Sequence, residues 1–370
     1  MTRSLTEIFP HPSQLSPSSM RFKPHCDLRA KIGFLFLVFL VPSTVVNFMW
    51  YGSSPNVRKP RPISWGPSVA YNMSLLNQET DFTTLVDKTD FRFLLNHRRC
   101  DKEKDIFMVI YIHSAPDHFQ KRRAIRKTWG QERHLVYDPI RLVFMVGTVQ
   151  NKDEIQKALE KEDFINRDIV QGNFIDSYKN LTYKHVMGLK WVTYFCRQAK
   201  YIFKTDDDIF VDIFQLVTYL RVSSLGRMPP RGLIMCFLIR NLYVKRSQRS
   251  KWKVSFKEYP AKYYPPYCAG WVIIMSPDVV FNLYLQSTQA AYFWVDDVHV
   301  SGTLAQRVGV SHVDFTDKLS VSKEEVLYWL QNPELSRPYL FGYPNADVDT
   351  IYALWNKTLC YYESLGIPRR

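Results

Sequence analysis

The sequence predicts an α/β domain built on a mostly parallel central sheet and preceded by one membrane-spanning helix. Three observations carry this expectation. From Asp105 onward, short apolar runs alternate with stretches of helical periodicity, the order from which parallel sheets are built. The run Ile106-Phe-Met-Val-Ile-Tyr-Ile112 suits a strand buried on both faces. Finally, Tyr201-Ile-Phe203 leads directly into Lys204-Thr-Asp-Asp-Asp-Ile-Phe-Val211. A buried strand there delivers three acids to the carboxyl edge of an open sheet, where such folds bind ligands.

The 370 residues suffice for one large catalytic domain or two small ones, and a 46% hydrophobic, 15% aromatic composition supplies a sizeable core. A net charge of +14 suits nucleic acid, an anionic membrane surface or a phosphorylated substrate. The basic residues fall in small clusters at 21–31, 58–61, 121–127 and 245–253, with neither zinc-finger spacing nor an RNA-binding aromatic signature. Nucleic acid is therefore not an expected partner. The six cysteines (Cys26, Cys100, Cys196, Cys236, Cys268, Cys360) include no close Cys-x-x-Cys pair, which argues against a zinc site. The last five permit two disulfides and one free thiol, with the pairing open.

In chain order, residues 1–31 are polar, proline-punctuated and basic at their end, and read as a cytosolic tail. Residues 32–51 carry no charge over twenty positions, about the ~20 residues that span a bilayer as a helix. The preceding basic flank orients them as a signal-anchor with the bulk of the chain across the membrane. A cleaved signal peptide is weakened by the long polar lead and the lack of a small-x-small site. Burial in a soluble core is weakened by the proline-rich spacer that follows. Residues 52–99 read as a stem and residues 100–370 as the lumenal domain. Sequons at Asn72, Asn180 and Asn356 agree with that topology.

Within the domain, strands are expected at 106–112, 142–146, 201–203, 233–239 and 271–275. Helices are expected at 122–129, 153–161 and 181–196, the last with Val186, Leu189, Val192 and Cys196 as its core stripe. A further helix starts at Pro277.

Three adjacent carboxylates repel one another unless something cationic sits among them, and a divalent metal holding a diphosphate answers that need. Asp206 and Asp208 are the candidate ligands. Transfer of a sugar from a nucleotide diphosphate also needs a base for the incoming hydroxyl. Asp296-Asp297, just before a helix, offers one, although carboxylates at that position often serve only as dipole-stabilising caps.

Six blocks, in this order, resemble the β1,3-galactosyltransferase family, glycosyltransferase family 31, which includes β1,3-N-acetylglucosaminyltransferases and Brainiac-type enzymes. They are Arg123-Ala-Ile-Arg-Lys-Thr-Trp-Gly130, Phe144-Met-Val-Gly147, residues 173–184 (Asn-Phe-Ile-Asp-Ser-Tyr-Lys-Asn-Leu-Thr-Tyr-Lys), Lys204-Thr-Asp-Asp-Asp208, Tyr264-Pro-Pro-Tyr-Cys-Ala-Gly270 and Asp296-Asp-Val298. The resemblance implies a GT-A type fold, a single-pass type II Golgi protein, a UDP-sugar donor, a glycan acceptor, Mn²⁺ or another divalent cation, and inversion at the anomeric carbon.

Carried over residue by residue, the resemblance makes Asp208 the principal metal ligand with Asp206, places Asp207 at the nucleotide, and makes Asp297 the base. Arg123, Arg126 and Lys184 match basic positions near the donor. Trp129 and Phe144 read as core. Asn180 falls inside a family block, where helix capping or packing competes with a glycan. Two departures stand out: Trp271-Val-Ile replaces a second glycine, suggesting a bulkier acceptor-side wall, and no histidine follows His312 to complete the metal shell. The expected function is β1,3-transfer of galactose or an N-acetylhexosamine to a terminal sugar of glycolipids or glycoproteins. A non-catalytic Golgi lectin or chaperone is the alternative, and homodimerisation is left open.

Overall fold

The computed structural model describes residues 72–364 apart from 77, 102–104, 133–134, 136–137, 151, 223–230 and 333–338. The expected tail, anchor and most of the stem lie outside the described residues. Among the described residues, no helix is long and apolar enough to cross a membrane.

Eight strands form one sheet in the order β1-β4-β3-β2-β5-β7-β6-β8. They are β1 (Phe93–Leu95), β2 (Ile106–His113), β3 (Ile140–Thr148), β4 (Ile169–Ile175), β5 (Ala199–Asp206), β6 (Ile234–Ile239), β7 (Tyr267–Met275) and β8 (His312–Asp314). The centre, β4-β3-β2-β5, is parallel, as is β6 with β8. The pairs β1–β4, β5–β7 and β7–β6 are antiparallel. The sheet is thus mixed around a parallel centre.

Nine α-helices are described: α1 (Gln78–Asp81), α2 (Phe119–Lys127), α3 (Asp153–Asn166), α4 (Leu181–Phe195), α5 (Ile213–Val222), α6 (Pro277–Ser287), α7 (Ala305–Val308), α8 (Lys323–Gln331) and α9 (Val348–Ser364). A π-helical turn, Val298–Leu304, follows the Asp296-Asp297 pair directly.

The period-2 geometry of a strand explains the layering. On β2, Ile110 and Ile112 face a core shared with Ile125 of α2, Leu216 of α5 and Leu354 of α9. Val109 and Tyr111 face the opposite core, shared with Val186 and Leu189 of α4 and Phe281 of α6. Both faces of the strand are therefore covered, and its lack of polar interruption follows. The expected elements appear at nearly the expected places. The helix anticipated at 122–129 begins at Phe119, and α5, α8 and α9 were not anticipated, because the second half of the chain shows weaker periodicity.

The end of the expected stem packs into the fold. Leu76, Leu85 and Phe91 are buried, and Asp81 accepts hydrogen bonds from Tyr194 Oη (2.5 Å) and Tyr284 Oη (2.7 Å). Disulfides join Cys100 to Cys196, tying the approach to β2 onto the end of α4, and Cys236 to Cys268, stapling β6 to β7. Among the described residues no free thiol remains, since Cys360 is disulfide-bonded too.

Candidate active site

Parallel β2, β3, β4 and β5 end together at His113, Thr148, Ile175 and Asp206, and His113 is in register with Asp206. Because β7 runs antiparallel to β5, its beginning lies at the same edge. The acidic triplet and the acidic pair, some ninety residues apart in sequence, meet there.

Each acid of the triplet has different company. Asp206 Oδ1 accepts from the ammonium of Lys204 at 2.7 Å, and the same buried ammonium donates to the Gly270 carbonyl at 2.5 Å. Burial raises the pKa of Asp206, with Lys204 opposing. Asp207 is buried and accepts from Ser114 Oγ (2.7 Å), His118 Nδ1 (2.7 Å) and Lys121 Nζ (3.2 Å). Burial pushes its pKa up, but the His118 hydrogen bond and the Lys121 charge hold it below the usual carboxylate range. Asp208 has only Lys121 nearby, at 3.7 Å, and burial together with the Asp206 charge pushes its carboxyl up to about 6. The chain's own cations thus answer two of the three acids and leave Asp208 the least neutralised.

The pair is built differently. His185, on α4 and fully buried, places Nδ1 3.2 Å from Asp296 Oδ2. Burial raises the pKa of Asp296, but the His185 hydrogen bond and charge bring it below the ordinary value. Asp297 Oδ2 accepts the Gly270 N–H at 3.0 Å. Its carboxyl is pushed well up, first by burial and then by the Asp296 charge. It stands at the N-terminus of the π-helical turn yet makes no capping hydrogen bond, so a cap does not account for it. A Cβ at Gly270 would lie 2.0 Å from Asp297 Oδ1, so only glycine admits this approach. One residue, Gly270, therefore joins both clusters, accepting from Lys204 and donating to Asp297.

The other sequence-predicted residues separate. Lys184 is buried and donates to the Ser114 carbonyl (2.6 Å) and to Asp176 (2.8 Å), which also accepts the Gly147 N–H at 2.6 Å. Lys184 thus ties the ends of β2, β3 and β4. Arg126 is bidentate to Asp168 (2.7 and 2.8 Å), bonds Glu162 (2.6 Å) and lies over the Phe144 ring, so its guanidinium is already engaged. Arg123 is exposed on α2. Its fully buried neighbour Arg122 pairs with Glu162 and donates to Ser114 Oγ.

Sequence reasoning passed over Ser114, His118, Lys121, Lys204, His185 and Gly270. The signal for Lys204 was available, since residues i and i+2 of a strand share a face.

Trp129 and Phe144 are core residues, as expected. Trp271 and Val272 are also buried in the core, so the bulk they add does not form an acceptor-side wall. Asn180 Nδ2 donates back to the Ile175 carbonyl at 2.8 Å and makes no helix cap; Thr182 of that sequon is buried, bonded to the Phe293 carbonyl. Asn72 and Asn356 are exposed.

Among the described residues, the His/Cys/Asp/Glu group close enough to grip one ion together is His185, Asp296 and Asp297, rather than the triplet. His185 and Asp296 are buried and bonded to each other. The side chains of Asp206 and Asp208 keep 37% and 23% of their surface open, which an ion shared with a nucleotide requires.

Residues 120–316 match the family described as Galactosyltransferase. Over 291 residues the chain is 31% identical to rat lactosylceramide 1,3-N-acetyl-beta-D-glucosaminyltransferase, covering 72% of this chain and 76% of that protein. Over 289 residues it is 32% identical to mouse beta-1,3-galactosyltransferase 1, covering 76% and 85% respectively, and the human protein matches to the same extent. With an acidic triplet and an acidic pair held on one glycine, and with these relatives, the chain belongs to the β1,3-galactosyltransferase family.

Proposed function

We propose that the chain is an inverting β1,3-glycosyltransferase that moves galactose or an N-acetylhexosamine from a UDP-sugar to a terminal sugar of a glycolipid or glycoprotein. The observation that carries this reading is the Gly270 bridge, which sets a carboxyl with a raised pKa beside the carboxylates suited to a diphosphate site. Asp297 takes the proton of the acceptor hydroxyl as that oxygen bonds to the anomeric carbon and the bond to UDP breaks. A single displacement needs no enzyme nucleophile, and it inverts the centre. A base with a raised pKa retains more proton affinity at working pH than an ordinary carboxylate.

Asp208, with Asp206 beside it, would hold a divalent cation of the Mn²⁺ type. Their oxygen donors fit a hard cation, and the weakly neutralised Asp208 supports the assignment. When bound, the ion supplies Lewis-acid stabilisation to the departing diphosphate. Asp207, fixed by Ser114, His118 and Lys121, holds the loop and orients Lys121 toward the phosphates. Lys184 keeps the strand ends in register beneath them, while Arg126 and Arg123 act through the shape and charge of α2.

The non-catalytic lectin or chaperone reading is not favoured, since the relatives are transferases and Gly270 is kept bare beside the half-buried Asp297. A GT-A type fold, an N-terminal anchor and a Golgi lumenal domain complete the proposal. The sequons at the exposed Asn72 and Asn356 support that topology better than Asn180, whose Nδ2, the atom that would carry a glycan, donates to the Ile175 carbonyl. Incubating the chain with UDP-sugars, metals and β-linked acceptors and determining the product linkage tests the activity; products other than β1,3 would refute it. Endoglycosidase digestion of the expressed chain should shift its mobility, and an unchanged band would count against a lumenal domain.

A further inference from the structure

We propose that a basic aromatic wall beside Asp297 recognises an anionic acceptor sugar, one that carries a carboxylate or a sulfate. The inference rests on the transferase reading and adds the chemistry of the acceptor. Residues 240–266, between β6 and β7, hold eight basic side chains against one acid, Glu258; this surplus of seven is half of the chain's formal net charge of +14. Among the described residues only Arg240 of these is spent on an acid, pairing with Asp314 at 2.9 Å. Arg246 donates to the carbonyls of Val254, Tyr259 and Ala261 and so braces the arm. Glu258 is exposed, accepts from the N–H (2.7 Å) and hydroxyl (2.6 Å) of Ser255, and lies within electrostatic reach of Lys179.

The arm reaches the active-site edge through Trp252, whose Nε1 donates to the Tyr178 hydroxyl at 2.5 Å. Tyr178 is exposed just beyond the end of β4, and its ring centroid lies 6.2 Å from that of Trp294, three residues before Asp297. The Tyr178 hydroxyl is pushed up to about 12 by burial and by the charges of Asp296, Asp297 and Asp206, which places it within electrostatic reach of the candidate base.

The exposed Tyr178 ring and the half-buried Trp252 ring can stack on the apolar face of a pyranose, with buried Trp294 packed behind them. Here ammonium groups lie along the same faces. Lys251 Nζ is 4.4 Å from the Trp252 centroid and 5.8 Å from that of Tyr178, and Lys179 Nζ is 5.5 Å from that of Trp294. Both lysines are exposed, and neither makes an ion pair among the described residues. Each therefore keeps donors for an incoming anion at the place where a sugar would stack.

The test pairs an aryl β-galactoside with its 6-O-sulfate and with the matching galacturonide, assayed with the full chain at low salt. Expected is a KM about 5-fold lower for the anionic acceptors, a preference that 0.5 M salt and the Lys179→Gln/Lys251→Gln double variant both remove. The Lys152→Gln/Lys157→Gln variant, which removes the same charge from α3, should keep it. The sulfate and galacturonide arms separate the two sources of charge. Turnover with equal KM for neutral and anionic acceptors overturns the inference and leaves the transferase reading intact. Titration calorimetry with the same saccharides reads the wall without turnover. Discrimination there with no transfer by any donor removes the transferase reading alone, and equal affinity overturns the inference. Binding to phosphatidylserine vesicles without acceptor discrimination would assign the basic face to a membrane and would also overturn it.

Discussion

The two acidic regions of this edge use the same residue type to opposite ends. In the triplet, the chain supplies partners one by one: Lys204 to Asp206, and His118 with Lys121 to Asp207. The residual charge falls on Asp208, at the rim. In the pair, the chain supplies one histidine to Asp296 and hydrogen-bonds Asp297 through a backbone N–H, so burial and the Asp296 charge raise it against the opposing Lys204 charge. The carboxylate proposed to receive a cation and the one proposed to receive a proton thus differ less in sequence than in the groups packed against them.

The comparison is most severely tested at Asp297. Asp297→Asn should lower kcat by about 10²- to 10⁴-fold, the range of general-base catalysis, while titration of UDP stays near the parent affinity; undiminished turnover would remove its role as base. Gly270→Ala comes next. The added methyl collides with Asp297 Oδ1, and a carboxylate displaced by about 1 Å should cost about 100-fold in kcat. Circular dichroism should confirm that the variant is folded, and a folded Ala variant with full activity would break the link between glycine and base.

Asp208→Ala should weaken UDP binding at least about 10-fold in the presence of Mn²⁺ and much less in its absence. An affinity that the substitution leaves alone takes Asp208 out of the metal site. The smallest effect concerns pH. Asp297 works as a base only when deprotonated, so transfer is lost as pH falls through its raised pKa. Asp296→Asn removes one of the charges that raise it and should carry the acidic limb of the kcat/KM profile to lower pH. A limb that stays in place or moves up would mean that Asp296 does not act on Asp297 through its charge.

Much of this was legible beforehand, and the residues show why. The run at β2, the stripe on α4 and the proline opening α6 are local patterns, so periodicity alone located these elements. The triplet announced itself through charge density. The pair needed the family resemblance, because two acids before a helix have a commoner use as caps. Less legible were α5, α8 and α9, and the end of the stem, where Leu85 and Phe91 are spaced too irregularly to reveal that they pack on α4 and α6.

By itself, then, the sequence determined β2, β3, β5, β6 and β7 but not β1, β4 or β8, together with the main helices, the acids and their order, all of which depend on neighbours a few positions away. Apart from the Lys204–Asp206 pair, tertiary structure alone decided what each acid meets. His185 reaches Asp296 across 111 residues, and Lys204 reaches the Gly270 carbonyl across 66. The second contact exists because β7 enters the sheet antiparallel to β5 and brings its first residues to the edge where β5 ends. Strand order of that kind is set by global packing, and no local pattern records it.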